Sequence, residues 1–212
     1  MEVFLAQRLP PEVRRELILD TAMELIGEKG YRGLTMKTVA AHCGLTAPAV
    51  TYYFKDMQTL LLAVLLRRDA LDVDEFVSSG SDGTLAAEDI AVGVYRAMTA
   101  HPHAARLRTV MSIEAMDPSH PAHTACLERN EAVVGFLVSR LGEGYDDTDR
   151  LARRLVAGLE GVQSAWLRHP EYIDLQSSLL DVVTWIMGQH EVNPEGASVP
   201  VAAQPAALKR LA

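Results

Sequence analysis

Apolar residues return every three or four positions along most of the chain, the spacing of one helix face. Between Arg15 and Gly30, residues Leu17, Ile18, Thr21, Ala22, Leu25 and Ile26 form one such stripe. Pro10 and Pro11 mark its start and Gly30 its stop. Two short helical patterns then flank Gly44, where a chain reversing within a few residues needs a left-handed backbone angle. Ala40 is small enough for the two helices to cross closely, and Val50 can plug the angle between them. Val39, Cys43, Leu45 and Phe54 complete the apolar underside, while Thr46, Ala47, Pro48, Thr51 and Tyr52 occupy the other face. This pattern predicts a helix-turn-helix whose second helix is offered to a DNA major groove.

The remaining chain reads as further helices, so the expected fold class is all-α. Asp56 can cap a helix reaching about Ser78, with Leu60, Leu61, Val64, Leu65, Leu71 and Phe76 as its apolar set. The turn formers Ser78 to Gly83 break the pattern. Helices are expected from about Leu85 to His101, Ala104 to Ala115, Ala122 to Leu141, Asp147 to Arg168 and Leu175 to Met187. Residues 191–212, with Pro194, Pro200 and Pro205, read as a poorly ordered tail. The implied organisation is a helix-turn-helix domain over 1–56 and a helical regulatory and dimerisation domain over 57–190.

The last two helices carry more apolar surface than one stripe requires. Leu151, Leu155, Leu159, Val162 and Trp166 line one, and the other is apolar around most of its circumference. Such a helix must be covered on a second side, and a two-fold dimer supplies the cover. The expected homodimer interface comprises Leu155, Leu159, Val162, Trp166, Leu179, Val183 and Ile186. Gly158 and Gly161 remove side chains where another helix could approach.

Charge refines the picture. The chain carries a net charge of −8, yet residues 1–60 hold seven basic and seven acidic residues, so the whole excess lies beyond them. The front end has no broad basic patch, which favours placed contacts from two copies over a nonspecific DNA coat. No run approaches the ~18 apolar residues of a membrane span, and no secretion signal is evident, so a cytoplasmic protein with no membrane partner is expected. Cys43 and Cys126 are far apart and fit two free thiols.

Ala22, Leu25, Gly30, Tyr31, Thr35, Val39, Ala40, Gly44, Leu45, Val50, Tyr53, Phe54, Lys55 and Leu60 together resemble the TetR family of bacterial transcriptional regulators. The resemblance covers about the first 60 residues. It implies a dimeric repressor that reads a palindromic double-stranded operator and is released by a small-molecule effector. It also implies that Thr46, Ala47, Pro48, Thr51, Tyr52 and Tyr53 face DNA, with Thr35, Lys37 and Lys55 near phosphates or base edges. The chain departs from the family at Thr51, where a phosphate-binding tyrosine is usual, and at Met57, where lysine is usual.

By the same resemblance the middle helices enclose a pocket. Met98, Met111 and Met116 are adaptable apolar liners, and Arg106, Arg108, Glu114, Asn130, Glu160 and Gln163 could orient a ligand. The residues assigned to the ligand are Met98, Met111, Glu114 and Asn130. A neutral or cationic apolar molecule is expected, since the net charge disfavours anions. His101, His103, His120, His123 and Cys126 raise a competing reading, a small helical metal-binding protein or metalloenzyme. Zinc needs three or four converging ligands, however, and each His-Pro pair sits where a helix ends. No phosphate loop, nucleophile elbow or His-Glu-x-x-His is present. The expectation is therefore neither an enzyme nor a protein with a metal or cofactor, with a DNA-binding regulator lacking any small ligand as the remaining variant.

Overall fold

The computed structural model describes residues 9–78 and 83–191. Among them are helices α1 (Pro11–Lys29), α2 (Met36–His42), α3 (Ala47–Tyr53), α4 (Met57–Ser78) and α5 (Ala87–Ala100). They are followed by α6 (Pro102–Glu114), α7 (His123–Arg140), α8 (Thr148–Arg168) and α9 (Leu175–Gly188). The only bridge between extended residues described is an isolated antiparallel one, Tyr145 with Glu191. The fold is all-α, as the periodicity predicts. Most of the expected break at 78–83 and nearly all of the expected tail lie outside the described residues.

Helix boundaries follow local chemistry. Pro11 opens α1 in the first turn, where its missing N–H leaves no intrahelical bond unmade. Gly30 ends α1 at φ 75°, the left-handed region that glycine enters without penalty. Asp147 starts α8 by accepting from the Arg150 N–H at 3.0 Å, and Asp174 starts α9 by accepting from Ser177 N–H at 3.3 Å.

The buried side chains form two cores. The first joins α1, α2 and α3 to the front half of α4 through Leu60, Leu61, Val64 and Leu65, and continues into α6 through Leu107 and Met111. The second lies among α5, α7, α8 and α9, around Met98, Leu151, Leu155, Leu179 and Val183. Helix α6 touches both, packing on α1 and α4 and also on α5 and α8. Packing in the first core thus runs past residue 56 without a break.

One close approach binds α8 to α9. A Cβ on Gly158 would lie 2.7 Å from Ile186 Cδ1 and 2.8 Å from Val182 Cγ1, so any larger residue requires these side chains or α9 to shift. A Cβ on Gly161 would meet nothing within 4 Å. The pair of glycines therefore divides: the first serves packing inside the protomer and the second faces outward.

Candidate nucleic-acid interface and effector cavity

The reading head is assembled by caps and a turn. Thr35 Oγ1 accepts from the Thr38 N–H at 3.0 Å and opens α2, and Thr46 Oγ1 accepts from the Ala49 N–H at 3.3 Å and opens α3. Gly44 stands between the two helices at φ 64°, and the Leu45 N–H returns to the Ala40 carbonyl at 2.8 Å. Val39, Ala40, Val50 and Phe54 are buried against Ile18, Ala22 and Leu25 of α1, which fixes the crossing of α2 and α3. The Arg15 guanidinium lies 5.2 Å above the Phe54 ring.

This packing leaves one face of α3 in solvent. Thr46, Pro48, Thr51 and Tyr52 line that face and are exposed, while Ala47 and Tyr53 lie closer to the core and Thr35, Lys37 and Lys55 flank it. Tyr52 is 83% exposed, and its ring meets Tyr53 edge-on at 5.2 Å. The Thr51 hydroxyl donates to the Ala47 carbonyl at 3.0 Å, so its proton is engaged within the helix. Two phenols thus stand next to Thr51, where the resemblance leads one to expect a tyrosine.

Asp56 joins this head to the next helix. Its carboxylate accepts from the Thr59 N–H and hydroxyl, each at 2.8 Å, and these bonds hold its pKa below the ordinary aspartate value. Helix α4 then runs 22 residues without an internal Gly or Pro. Arg67 ties it to Glu16 and Asp20 of α1, the Asp20 contact at 2.8 Å.

Further along, α4 forms one wall of a cavity of about 720 Å³, open to solvent on one side and lined elsewhere by α5, α6, α7 and α8. Ile90, Val94, Val133, Phe136, Val156 and Leu159 make much of its lining apolar, and Leu66, Val73, Ile113 and Met116 are exposed apolar members. A charged cluster sits in the wall between α4, α6 and α7. Arg108 Nη2 contacts Asp69 at 2.7 Å and Asp72 at 2.9 Å, and Arg129 also pairs with Asp69. Arg68, buried beneath, holds Asp72 and Glu75 at 2.8 Å each, and its hydrogen bond keeps the Glu75 pKa below the usual range.

Of the four residues assigned to the ligand, Asn130 alone lines this cavity. Met98 is enclosed in the second core, Met111 in the first, and Glu114 is exposed outside the lining. Helical spacing identifies apolar faces but not which face meets a void. Arg108, Glu160, Gln163 and Met116 do line it, whereas Arg106 turns away to the Leu167 carbonyl at 3.3 Å. Asp69 and Asp72 carried no sequence signal, because a carboxylate on an amphipathic helix ordinarily faces water.

The expected dimer interface needs a larger correction. Leu155, Leu179 and Val183 are wholly buried inside the protomer, and Leu159 and Ile186 nearly so. A side chain closed off by its own chain has no surface left for a second copy. Only Val162 and Trp166 are partly exposed. The large apolar group that α9 presents outward is Trp185, 65% exposed, with Gly161 exposed on α8. Its signal was a tryptophan aligned with Asp181, off the Leu179–Val183–Ile186 stripe.

The histidine group does not converge. His123 Nδ1 pairs with the Ala115 carbonyl at 2.7 Å, and His120 Nδ1 accepts from the Ala122 N–H at 3.2 Å. Burial raises the pKa of both Cys43 and Cys126, which favours thiols over metal-binding thiolates. Among the described residues no set of three or more His, Cys, Asp or Glu is placed to hold a metal ion.

The family model for bacterial regulatory proteins of the tetR family matches residues 18–64, which hold the buried crossing and the reading helix. The HTH-type transcriptional repressor AcnR of Corynebacterium diphtheriae is 30% identical in an alignment covering 72% of this chain and 93% of AcnR. This chain belongs to the TetR family. The tetracycline repressor protein class C of Escherichia coli is 36% identical over 53 residues, 25% of this chain and 24% of that protein. Among solved structures, the multidrug binding protein EbrR complexed with imidazole is 26% identical, with a TM-score of 0.63 over 84% of this chain and 90% of that one. As a TetR-family protein the chain is a DNA-binding transcriptional regulator, and dimerisation and small-ligand binding are typical of its relatives. Those relatives are regulators rather than enzymes. Among the described residues no helix is long and apolar enough to cross a membrane.

Proposed function

We propose that this protein represses transcription by holding a palindromic operator as a homodimer, and that a small, largely apolar molecule entering the α4–α8 cavity releases it. The observation that carries the reading is the double membership of α4. Its front half lies in the core of the reading head, and its later residues Leu66, Asp69, Ala70, Asp72 and Val73 line the cavity. With no Gly or Pro between, a shift imposed at the cavity is transmitted to the head as a rigid displacement. Coupling of ~1–3 kcal/mol between two such sites is the usual scale.

The exposed face of α3 supports the DNA half of the reading. Ala47 and Pro48 offer apolar contact to a thymine methyl, Lys37 a hydrogen-bonding contact to guanine, and Tyr52 and Tyr53 the phosphate contacts that Thr51 does not supply. Two copies joined through α8 and α9, around Trp185, would set the two α3 helices about one DNA turn (~34–36 Å) apart. EbrR is a multidrug binding protein, which supports an organic effector here. The test selects bound duplexes from a genomic pool, then screens a chemically mixed library for compounds that raise the melting temperature and release the selected duplex. Absence of any selected sequence would overturn the operator half. Stabilising compounds that never release DNA would overturn the effector half.

A further inference from the structure

We infer that Arg108 is the effector-recognising residue, and that the effector is an uncharged, mostly apolar molecule whose carbonyl-type oxygen takes the hydrogen bonds Arg108 leaves open. This rests on reading the cavity as the effector site and narrows its ligand by chemistry.

The cluster in the cavity wall is unequal in what it has left to offer. Both oxygens of Asp69 are engaged, Oδ1 by Arg108 and Arg129 and Oδ2 by Arg129. Both oxygens of Asp72 are engaged as well, Oδ1 by Arg68 at 2.8 Å and Oδ2 by Arg108 at 2.9 Å. Arg108, by contrast, engages Nη2 alone among the described residues. Its Nε is buried without an acceptor among the described residues, and its side chain is only 13% exposed. A buried guanidinium N–H without a partner is costly, and an acceptor that meets it as the side chain turns into the cavity recovers that cost. Each carboxylate oxygen of the pair thus already has a donor, while one buried donor has no acceptor.

This disfavours ions of either sign at the cluster. A cation at Asp69 or Asp72 would stand against Arg68, Arg108 and Arg129, which already share both carboxylates. An anion would join a lining that already sets Asp69, Asp72, Asp74 and Glu160 against only Arg108 and Arg129. A neutral acceptor meets neither objection, and the apolar walls take the rest of the molecule. Recognition and switching then share one contact. Arg108 turning toward the ligand loosens its hold on Asp69 and Asp72, both on α4, whose Arg67 grips Glu16 and Asp20 of the reading head.

The test uses four probes on one aromatic body: 2-acetylnaphthalene, its isostere 2-isopropylnaphthalene, 2-naphthoate and 2-naphthylmethylammonium. Calorimetry on the full chain should find the ketone bound about tenfold or more tightly than the hydrocarbon, the scale of a hydrogen bond from a charged donor. Both ions should bind more weakly than the ketone. Arg108→Met should equalise ketone and hydrocarbon. Asp72→Asn, which weakens the competitor for Arg108, should tighten the ketone about threefold with the hydrocarbon unmoved, and it decides the question if Arg108→Met does not fold. Equal binding of ketone and hydrocarbon by the wild type, tightest binding of the ammonium or naphthoate, or discrimination that survives Arg108→Met would each overturn the inference. So would a ketone affinity that Asp72→Asn leaves unchanged or lowers. Ketone discrimination without release of the selected duplex, read by fluorescence anisotropy, would uphold Arg108 as the recognising residue and overturn the effector reading beneath it.

Discussion

Replacing Trp185 by alanine tests how two copies join. In the protomer this side chain is 65% exposed, so of the roughly 250 Å² that a tryptophan can bury about 160 Å² is left for a partner. At about 25 cal/mol per Å² that area corresponds to ~4 kcal/mol per copy as an upper bound. Alanine truncation of an interface tryptophan commonly costs ~2 kcal/mol or more. A two-fold interface contains the residue twice, so the combined loss is ~4–8 kcal/mol, and the dimer dissociation constant should rise at least about a thousandfold. Sedimentation velocity over a concentration series measures that constant. Circular dichroism should show unchanged helicity, because Trp185 contributes little to either core. Denaturation has to be compared with both proteins monomeric, since dimerisation stabilises by mass action. Leu179→Ala provides the contrast: with its side chain wholly buried, it should cost the protomer ~2–5 kcal/mol. A Trp185→Ala protein that sediments with the wild-type dissociation constant would refute the assignment of this face.

Further perturbations probe the head, the helix joints and the thiols. Lys37→Ala should weaken binding most at operator variants that keep one particular guanine; an equal loss at every variant, with only a smaller salt slope, would make Lys37 a phosphate contact. Gly158→Ala forces contacts of 2.7 and 2.8 Å costing ~1–3 kcal/mol, against ~1 kcal/mol gained in helix propensity. Urea denaturation should therefore show it neutral to destabilised, and Gly161→Ala stabilised; a clear gain at both would refute the close approach. Asp56→Ala should cost about 1 kcal/mol at neutral pH as a lost cap. The lowered Asp56 pKa means this contribution is present above the ordinary aspartate value of ~3.9 and disappears as pH falls through the folded value, so wild type and variant should converge in acid. A thiol reagent should label the half-buried Cys126 before the buried Cys43 in the native protein, and mass spectrometry of the labelled peptides reports the order.

The reading head is legible in the sequence because the chemistry that builds it is local. Thr35, Thr46 and Asp56 each cap the helix that follows through the next few residues, and Gly44 turns the chain through a backbone angle that depends on its own missing Cβ. Apolar spacing likewise marks the helices, because a stripe recurs wherever one face is buried. Whether that face is buried by its own chain, by a second chain or by nothing is not a property of the stripe. Leu155, Leu179 and Val183 suit a dimer and a core equally well, and only the approach of α9 across Gly158 assigns them to the core and leaves Trp185 outside. The cavity is hidden for the same reason. It is a volume left where α4 to α8 fail to close, and Asp69, Asp72, Arg108 and Arg129 come together there from three helices whose relative rotation is decided by long-range packing. Caps, turns and stripes act over a few residues and are written in order along the chain. Voids, interfaces and ion clusters depend on residues tens of positions apart, and exist only once the helices have packed.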